Sequence, residues 1–143
     1  MKYTLIIDES REEEIIIYAK NKTKIIEEIE SIIDKVNNKI FGYSNDEIIN
    51  INKNDVIVFF IEDGKTYAYV DKDKYLVKYR IYELESILSN DFIKINQSCI
   101  ANINKIKKFK PCFNGSLEII FINGYSDFIS RRELKKVKER LGL

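Results

Sequence analysis

The stretch Phe92-Ile93-Lys94-Ile95-Asn96-Gln97-Ser98-Cys99-Ile100-Ala101-Asn102-Ile103-Asn104-Lys105-Ile106 decides how the chain is read. Its opening, Phe92–Ile95, is aromatic and β-branched and predicts a strand. After Ile95 the alternation breaks, which places Asn96-Gln97-Ser98 at a bend with an exposed tip. A side-chain amide at such a tip carries one donor and one acceptor in a plane. That pattern pairs bidentately with N6 and N7 of adenine in the major groove. The same amides also serve simply to cap a turn.

Toward the C-terminus, Ile106–Cys112, Ser116–Ile122 and Tyr125–Ile129 read as strands. Asn114-Gly115 and Asn123-Gly124 are hairpin signals, because a type I′ turn needs positive φ at both central residues. Pro111, the only proline, suits an edge strand, since it has no N–H to give a ladder. The last element is a helix. Ser130 and Glu133 have capping-box spacing, Leu134, Val137 and Leu141 share a face, and Gly142 follows its end. Arg131 and Arg132 fall in its first turn, where cations oppose the helix dipole by up to about 1 kcal/mol each. Stability alone favours acids there, so the arginines point to an anionic partner or to an intramolecular carboxylate.

Toward the N-terminus, Val56–Glu62 predicts a strand and Asp63-Gly64-Lys65 a turn. Thr66–Asp71 and Lys74–Tyr79 form a hairpin closing at Lys72-Asp73, and Ile81, Leu84 and Leu88 mark a short helix. Asn52-Lys53-Asn54 reads as a seam, dividing an N-terminal unit at 1–51 from a domain at 52–143. In the first unit Tyr3–Ile7 and Glu14–Ala19 predict strands. Ile25, Ile26, Ile29, Ile32, Ile33 and Val36 predict an amphipathic helix over Lys24–Val36, and Ile40–Tyr43 and Glu47–Ile51 two more strands joined through Ser44-Asn45-Asp46. The fold class is therefore α+β, a small α/β unit followed by a mainly antiparallel β domain with short sheets and a C-terminal helix.

The net charge of +1 conceals a polarised chain. Residues 1–50 hold 7 basic and 11 acidic side chains, and residues 51–92 hold 6 and 8. Residues 93–143 hold 11 basic and 4 acidic, a net of +7, which is the footprint of a phosphate-binding surface or of a solvated face paired elsewhere in the fold. With no histidine among 143 residues, the commonest general base and zinc ligand is missing. Glu12-Glu13-Glu14 and Asp71-Lys72-Asp73 lack metal-loop spacing, and five glycines form no phosphate-cradling pattern. An enzyme, a cofactor and a metal are not expected. Cys99 and Cys112 read as core or half-buried thiols of a reduced, cytoplasmic protein, and no apolar run is long enough to span a bilayer.

Five pieces of residues 53–143 resemble, in order, the LytTR-type DNA-binding domain family. They are Asp55–Glu62, Arg80-Ile81-Tyr82-Glu83-Leu84-Glu85, Phe92–Ile106, Leu117–Gly124 and Ile129-Ser130-Arg131-Arg132-Glu133-Leu134-Lys135-Lys136-Val137-Lys138. The resemblance implies a bacterial transcriptional regulator that binds double-stranded DNA through loops, in a short stand-alone form without a receiver domain. It puts base-reading residues at Gln97 or Asn96, at Arg132, and at Lys65 in the loop after the first strand of the domain. Common members carry His-Arg or His-Asn where Asn96-Gln97 stands here, so the preferred base is open. Lys94, Ser98, Lys135 and Lys136 match phosphate-contact positions. Arg131, Lys105, Lys107 and Lys108 are further phosphate-contact candidates and Lys110 adds charge, although these lysines read equally well as an ordinary solvated face. A homodimer on paired sites, with its contact in the Ile-rich N-terminal unit, and a membrane-bound inhibitory partner are further expectations. The alternative from another class is an interaction module whose basic face docks an acidic protein.

Overall fold

An unbroken apolar run such as Val56–Phe60 belongs to a strand covered on both faces, and the fold is arranged around that requirement. A computed structural model of the chain describes residues 2–11, 14–37 and 39–143, without the side chains of residues 34–37. Its elements run α1 Lys24–Asn37, β1 Lys39–Ser44, β2 Glu47–Asn52, β3 Val56–Glu62, β4 Lys65–Val70, β5 Asp73–Val77 and α2 Ile81–Ile87. They continue with β6 Phe92–Asn96, β7 Cys99–Asn102, β8 Ile106–Pro111, β9 Leu117–Phe121, β10 Ser126–Phe128 and α3 Arg131–Leu141. The expected α+β class, with its antiparallel sheets and C-terminal helix, is the observed one.

Seven strands form one sheet in the order β2-β1-β5-β4-β3-β7-β6, and three form a second in the order β10-β9-β8. Along β3, β6 and β7 successive side chains serve two different cores, because strand residues alternate between faces. Phe60, Ile93, Ile95, Cys99 and Ala101 pack toward Ile119 and Phe121 of the small sheet and Val137 of α3. Phe59, Phe92 and Ile100 pack on the other side with Ile81 and Leu84 of α2, and with Ile40 and Ile51 of the β1–β2 hairpin. Tyr125 ties the sheets together: its ring lies 5.2 Å from both Phe60 and Tyr69 and 5.9 Å from Phe121. Asn123 adds a polar tie, donating from Nδ2 to the Asp71 carbonyl at 2.8 Å.

Several expectations are corrected. The sheet runs across the seam expected at Asn52-Lys53-Asn54: β1 pairs with β5 through Gly42↔Val77 and Tyr43↔Leu76. Gly42 makes this join possible, since a Cβ there would meet the Tyr75 Cβ at 2.8 Å. The short segment Lys53–Asp55 is a 3-10 turn within the sheet's own chain path, opened by the Asn52 side chain accepting from the Asn54 N–H. The strands expected at Tyr3–Ile7 and Glu14–Ala19 are not formed; Tyr3 is 91% and Ile7 86% exposed, so nothing supplies the ladder a strand needs. Glu12 and Glu13, and the Val36 side chain of the expected helix face, lie outside the described residues.

Type I′ geometry occurs at Asn114-Gly115, with φ of 69° and 78°, but not at Asn123-Gly124, where only Gly124 is left-handed. There the Asn123 side chain accepts from the Tyr125 N–H and spends its own turn-forming capacity locally. The β4–β5 turn is Asp71-Lys72, one residue earlier than expected. Ser130 caps α3 without a side-chain hydrogen bond, so the expected capping box is absent. Pro111 does end the edge strand β8. No helix among the described residues is long and apolar enough to cross a membrane.

β7 begins and ends as a fully buried strand, and Asn102 closes it. Its Nδ2 donates to the Val56 carbonyl at 2.8 Å and to that of Asn54 at 3.3 Å, while its Oδ1 accepts from the Asn104 N–H at 3.0 Å. Replacing Asn102 by Ala strands these groups out of water and is expected to cost about 1–3 kcal/mol. Urea unfolding should show a lower midpoint with an unchanged slope.

Candidate nucleic-acid interface

Three chain reversals meet at one end of the large sheet. The β6–β7 turn exposes Gln97 and Ser98, and the Ile61 N–H at the end of β3 donates to the Ser98 carbonyl at 2.9 Å. β3 then turns through Asp63-Gly64 into Lys65, the exposed first residue of β4. On the other side, the Ser130 N–H donates to the Ile95 carbonyl at 2.9 Å, which docks the start of α3 on the end of β6. Lys65, Gln97 and Arg132 are thereby gathered on one rim. β4 and β6 are three strands apart, about 14 Å at ~4.8 Å per strand.

Asn96 is a correction. Its Nδ2 donates to Asp127 Oδ1 at 3.1 Å and to the Phe128 carbonyl at 2.9 Å, and its Oδ1 accepts from the Ser98 N–H at 2.8 Å. Both ends of the amide are committed inside the protein, so Asn96 builds the turn and leaves the tip to Gln97.

Arg131 and Arg132 are exposed in the first turn of α3, and neither forms an ion pair among the described residues. Leu134, Val137 and Leu141 turn the opposite side of the helix into the core. Lys135 and Lys136 are exposed on the next turn. Arg132, Lys136 and Arg140 follow at four-residue spacing, which aligns them along one side of the helix. Lys136 and Arg140 line a small cleft of about 140 Å³ with Lys94 and Glu85. Lys94 Nζ lies 3.2 Å from Glu85 Oε1, and an Arg140 guanidinium N–H donates to the Asn90 carbonyl. Arg140 lies outside the family motifs, and its spacing from Arg132 and Lys136 is the one sequence signal that groups it with them.

The remaining lysine candidates sit on or beside the small sheet. Lys107, Lys108 and Lys110 are exposed on β8, the edge of the small sheet farthest from β10, and Lys110 stands opposite Glu118. Lys105 is half-buried at the entry to β8, where its carbonyl accepts from the Ile122 N–H. Among the described residues no group of acids and cysteines is placed to hold a metal ion. Cys99 is buried, and burial together with the nearby Asp127 charge pushes its thiol well above the ordinary value, whereas Cys112 is half-exposed.

The sequence model described as the LytTr DNA-binding domain matches residues 46–142. The chain belongs to the LytTr DNA-binding domain family. The match begins inside the β1–β2 turn, so the LytTr domain as matched takes in β2 as well as the later strands. A solved LytTr DNA-binding domain from a Bacillus cereus methyl-accepting/DNA response regulator superposes with a TM-score of 0.70 at 25% identity, covering 74% of this chain and 98% of that one. A Staphylococcus aureus NCTC 8325 protein described as an uncharacterized HTH-type transcriptional regulator is 35% identical over all of this chain and 99% of its own length. A counterpart from the bovine strain RF122 is 34% identical with the same coverage. The helix-turn-helix in those descriptions has no equivalent among the described residues of this LytTr chain, where strands separate every pair of helices.

The geometry separates two neighbours. Asn96→Ala removes three hydrogen bonds from a half-buried side chain and should cost about 1–2 kcal/mol, while Gln97→Ala at the exposed tip should stay within about 0.5 kcal/mol of the parent in urea unfolding.

Proposed function

We propose that this LytTr chain is a sequence-specific duplex-DNA-binding transcriptional regulator that reads bases with Gln97 and Arg132 in the major groove. The observation that carries the reading is the hydrogen bond from the Ser130 N–H to the Ile95 carbonyl, which ties the chain two residues before Arg132 to the chain two residues before Gln97, both of them exposed. Gln97 suits adenine and Arg132 suits guanine, each bidentate pair being worth about 1–3 kcal/mol of discrimination. Lys65 approaches from the β3–β4 turn on the same rim and contacts a neighbouring base or phosphate.

Phosphate contacts fall to Lys94, Ser98, Arg131, Lys135 and Lys136, with Arg140 added from the cleft. Along α3, four residues rise about 6 Å, so its cations follow the strand backbone as a row of donors. Lys105, Lys107, Lys108 and Lys110 contribute to the long-range field rather than to the contact itself. Selection of bound duplexes from a random pool tests the assignment. Gln97→Ala and Arg132→Ala are expected to lose base preference at separate positions. Lys135→Ala should weaken all sequences alike and lower the salt-dependence slope by about one unit. A uniform loss for all three variants removes the assignment.

The regulator acts as a homodimer through its N-terminal part. Leu5, Ile6, Ile7, Ile15, Ile16, Ile25 and Ile32 are exposed there, an apolar surface that one chain leaves in water. Sedimentation of the whole chain should give the dimer mass, and Ile25→Lys with Ile32→Lys should shift it to the monomer. A monomeric parent chain at high protein concentration would remove the dimer.

A further inference from the structure

We propose that Asp127 is a positioning residue for sequence recognition, holding the Gln97 turn and the start of the Arg132 helix in one register. The inference rests on the DNA-binding reading above and assigns it a device that touches neither base nor phosphate. Asp127 lies in β10, on the path that leads into α3. Its Oδ1 accepts from Asn96 Nδ2 at 3.1 Å and from the Phe128 N–H at 2.8 Å, and its Oδ2 accepts from the Tyr125 hydroxyl at 3.3 Å. Asn96 passes the constraint on, because its other end holds the Ser98 N–H at 2.8 Å. The reading turn of the large sheet is thus stapled to a strand of the small sheet five residues before Arg132.

The staple is anchored as well as linked. Tyr125 sits among Phe60, Tyr69 and Phe121, so the carboxylate is fixed to the contact between the sheets. Burial raises the Tyr125 phenol, and burial with the Asp127 charge raises the Cys99 thiol, so both keep their protons. With Asn96, Tyr125 and the Phe128 N–H all donating, the centre of the network has to be an acceptor. A carboxylate meets that demand with charge-assisted bonds.

The charge itself is a clue to purpose. Residues 93–143 contain 11 cations and only 4 acids. An anion beside a phosphate-binding rim opposes DNA affinity for every sequence alike. Without a positional role, neutralising Asp127 would simply tighten binding throughout.

The test measures affinity for the selected duplex and for a random duplex of equal length, at one salt concentration. Asp127→Ala is expected to lower the ratio of the two affinities by about tenfold, the worth of one charge-assisted hydrogen bond, with no fall in random-duplex affinity. Asp127→Asn keeps an acceptor for Asn96 and the Phe128 N–H and should hold the ratio within about threefold of the parent. Asn96→Ala should lose as much as Asp127→Ala, and the double variant no more than either. In the free protein, Asp127→Ala should speed hydrogen exchange at the Ser98 and Ser130 amides while the buried Ile119 strand stays protected.

An unchanged ratio in Asp127→Ala, an equal fall for both duplexes, or additive losses in the double variant would each overturn the proposal. A parent chain with no duplex preference would sink the DNA-reading function, and the recognition role with it. Exchange at Ser98 would then still show whether Asp127 locks the turn, so the two failures are distinct.

Discussion

The structure depends on the pairing of β3 with β7 in a layer that is apolar above and below. Val58, Phe59 and Phe60 face Ala101, Ile100 and Cys99 across the ladder, all of them buried. Because adjacent residues point to opposite faces, this pair can be covered only by two separate layers. α2 and the β1–β2 hairpin supply one, and the small sheet with α3 supplies the other. Every other element is placed by what that double burial requires. Backbone groups in such a layer have no water to turn to, which is why Asn102 is buried with three hydrogen bonds rather than left at a surface.

The rim follows from the same arrangement. A central pair covered on both faces leaves its ends as the places where polar chain can emerge, and the turns after β3 and β6 emerge together. α3 reaches that end because its apolar side is needed over Ile93 and Ile95, and its first turn is then fixed by the Ser130–Ile95 hydrogen bond. Cations in that first turn work against the helix dipole, a local cost accepted where an anion is to be met. The small sheet does not merely fill the core. Through Asn123 on Asp71 and Asp127 on Asn96 it grips the large sheet at the β9–β10 turn and again from within β10.

Much of this was legible in the chain. The alternation of Phe92–Ile95 and its break at Asn96 located the tip, and the heptad-like face of Leu134, Val137 and Leu141 located α3. Cys99–Asn102 escaped because a short strand buried on every side has no alternation to show. Tyr3–Ile7 and Glu14–Ala19 have the composition of strands but no neighbour to pair with, and composition cannot supply a partner. The seam at Asn52–Asn54 was misplaced because a polar turn between strands has the same letters whether or not the sheet continues past it. Within the site, Gln97 and Arg132 are both exposed, while the commitment of Asn96 depends on Asp127, thirty-one residues away. Nothing local to Asn96-Gln97 distinguishes the amide that builds from the amide that points outward.

The division of labour in the β6–β7 turn bears on how such a protein diverges. Asn96, Asp127 and the Ser98 backbone carry the shape of the turn, and Gln97 carries none of it. A residue free of structural duty can be exchanged by drift at almost no penalty in folding, so under the base-reading role proposed for Gln97, copies of this chain arising by duplication would acquire different target sites in a single mutational step. The scaffold would be inherited intact, and lineages would separate by what the tip says rather than by how it is held.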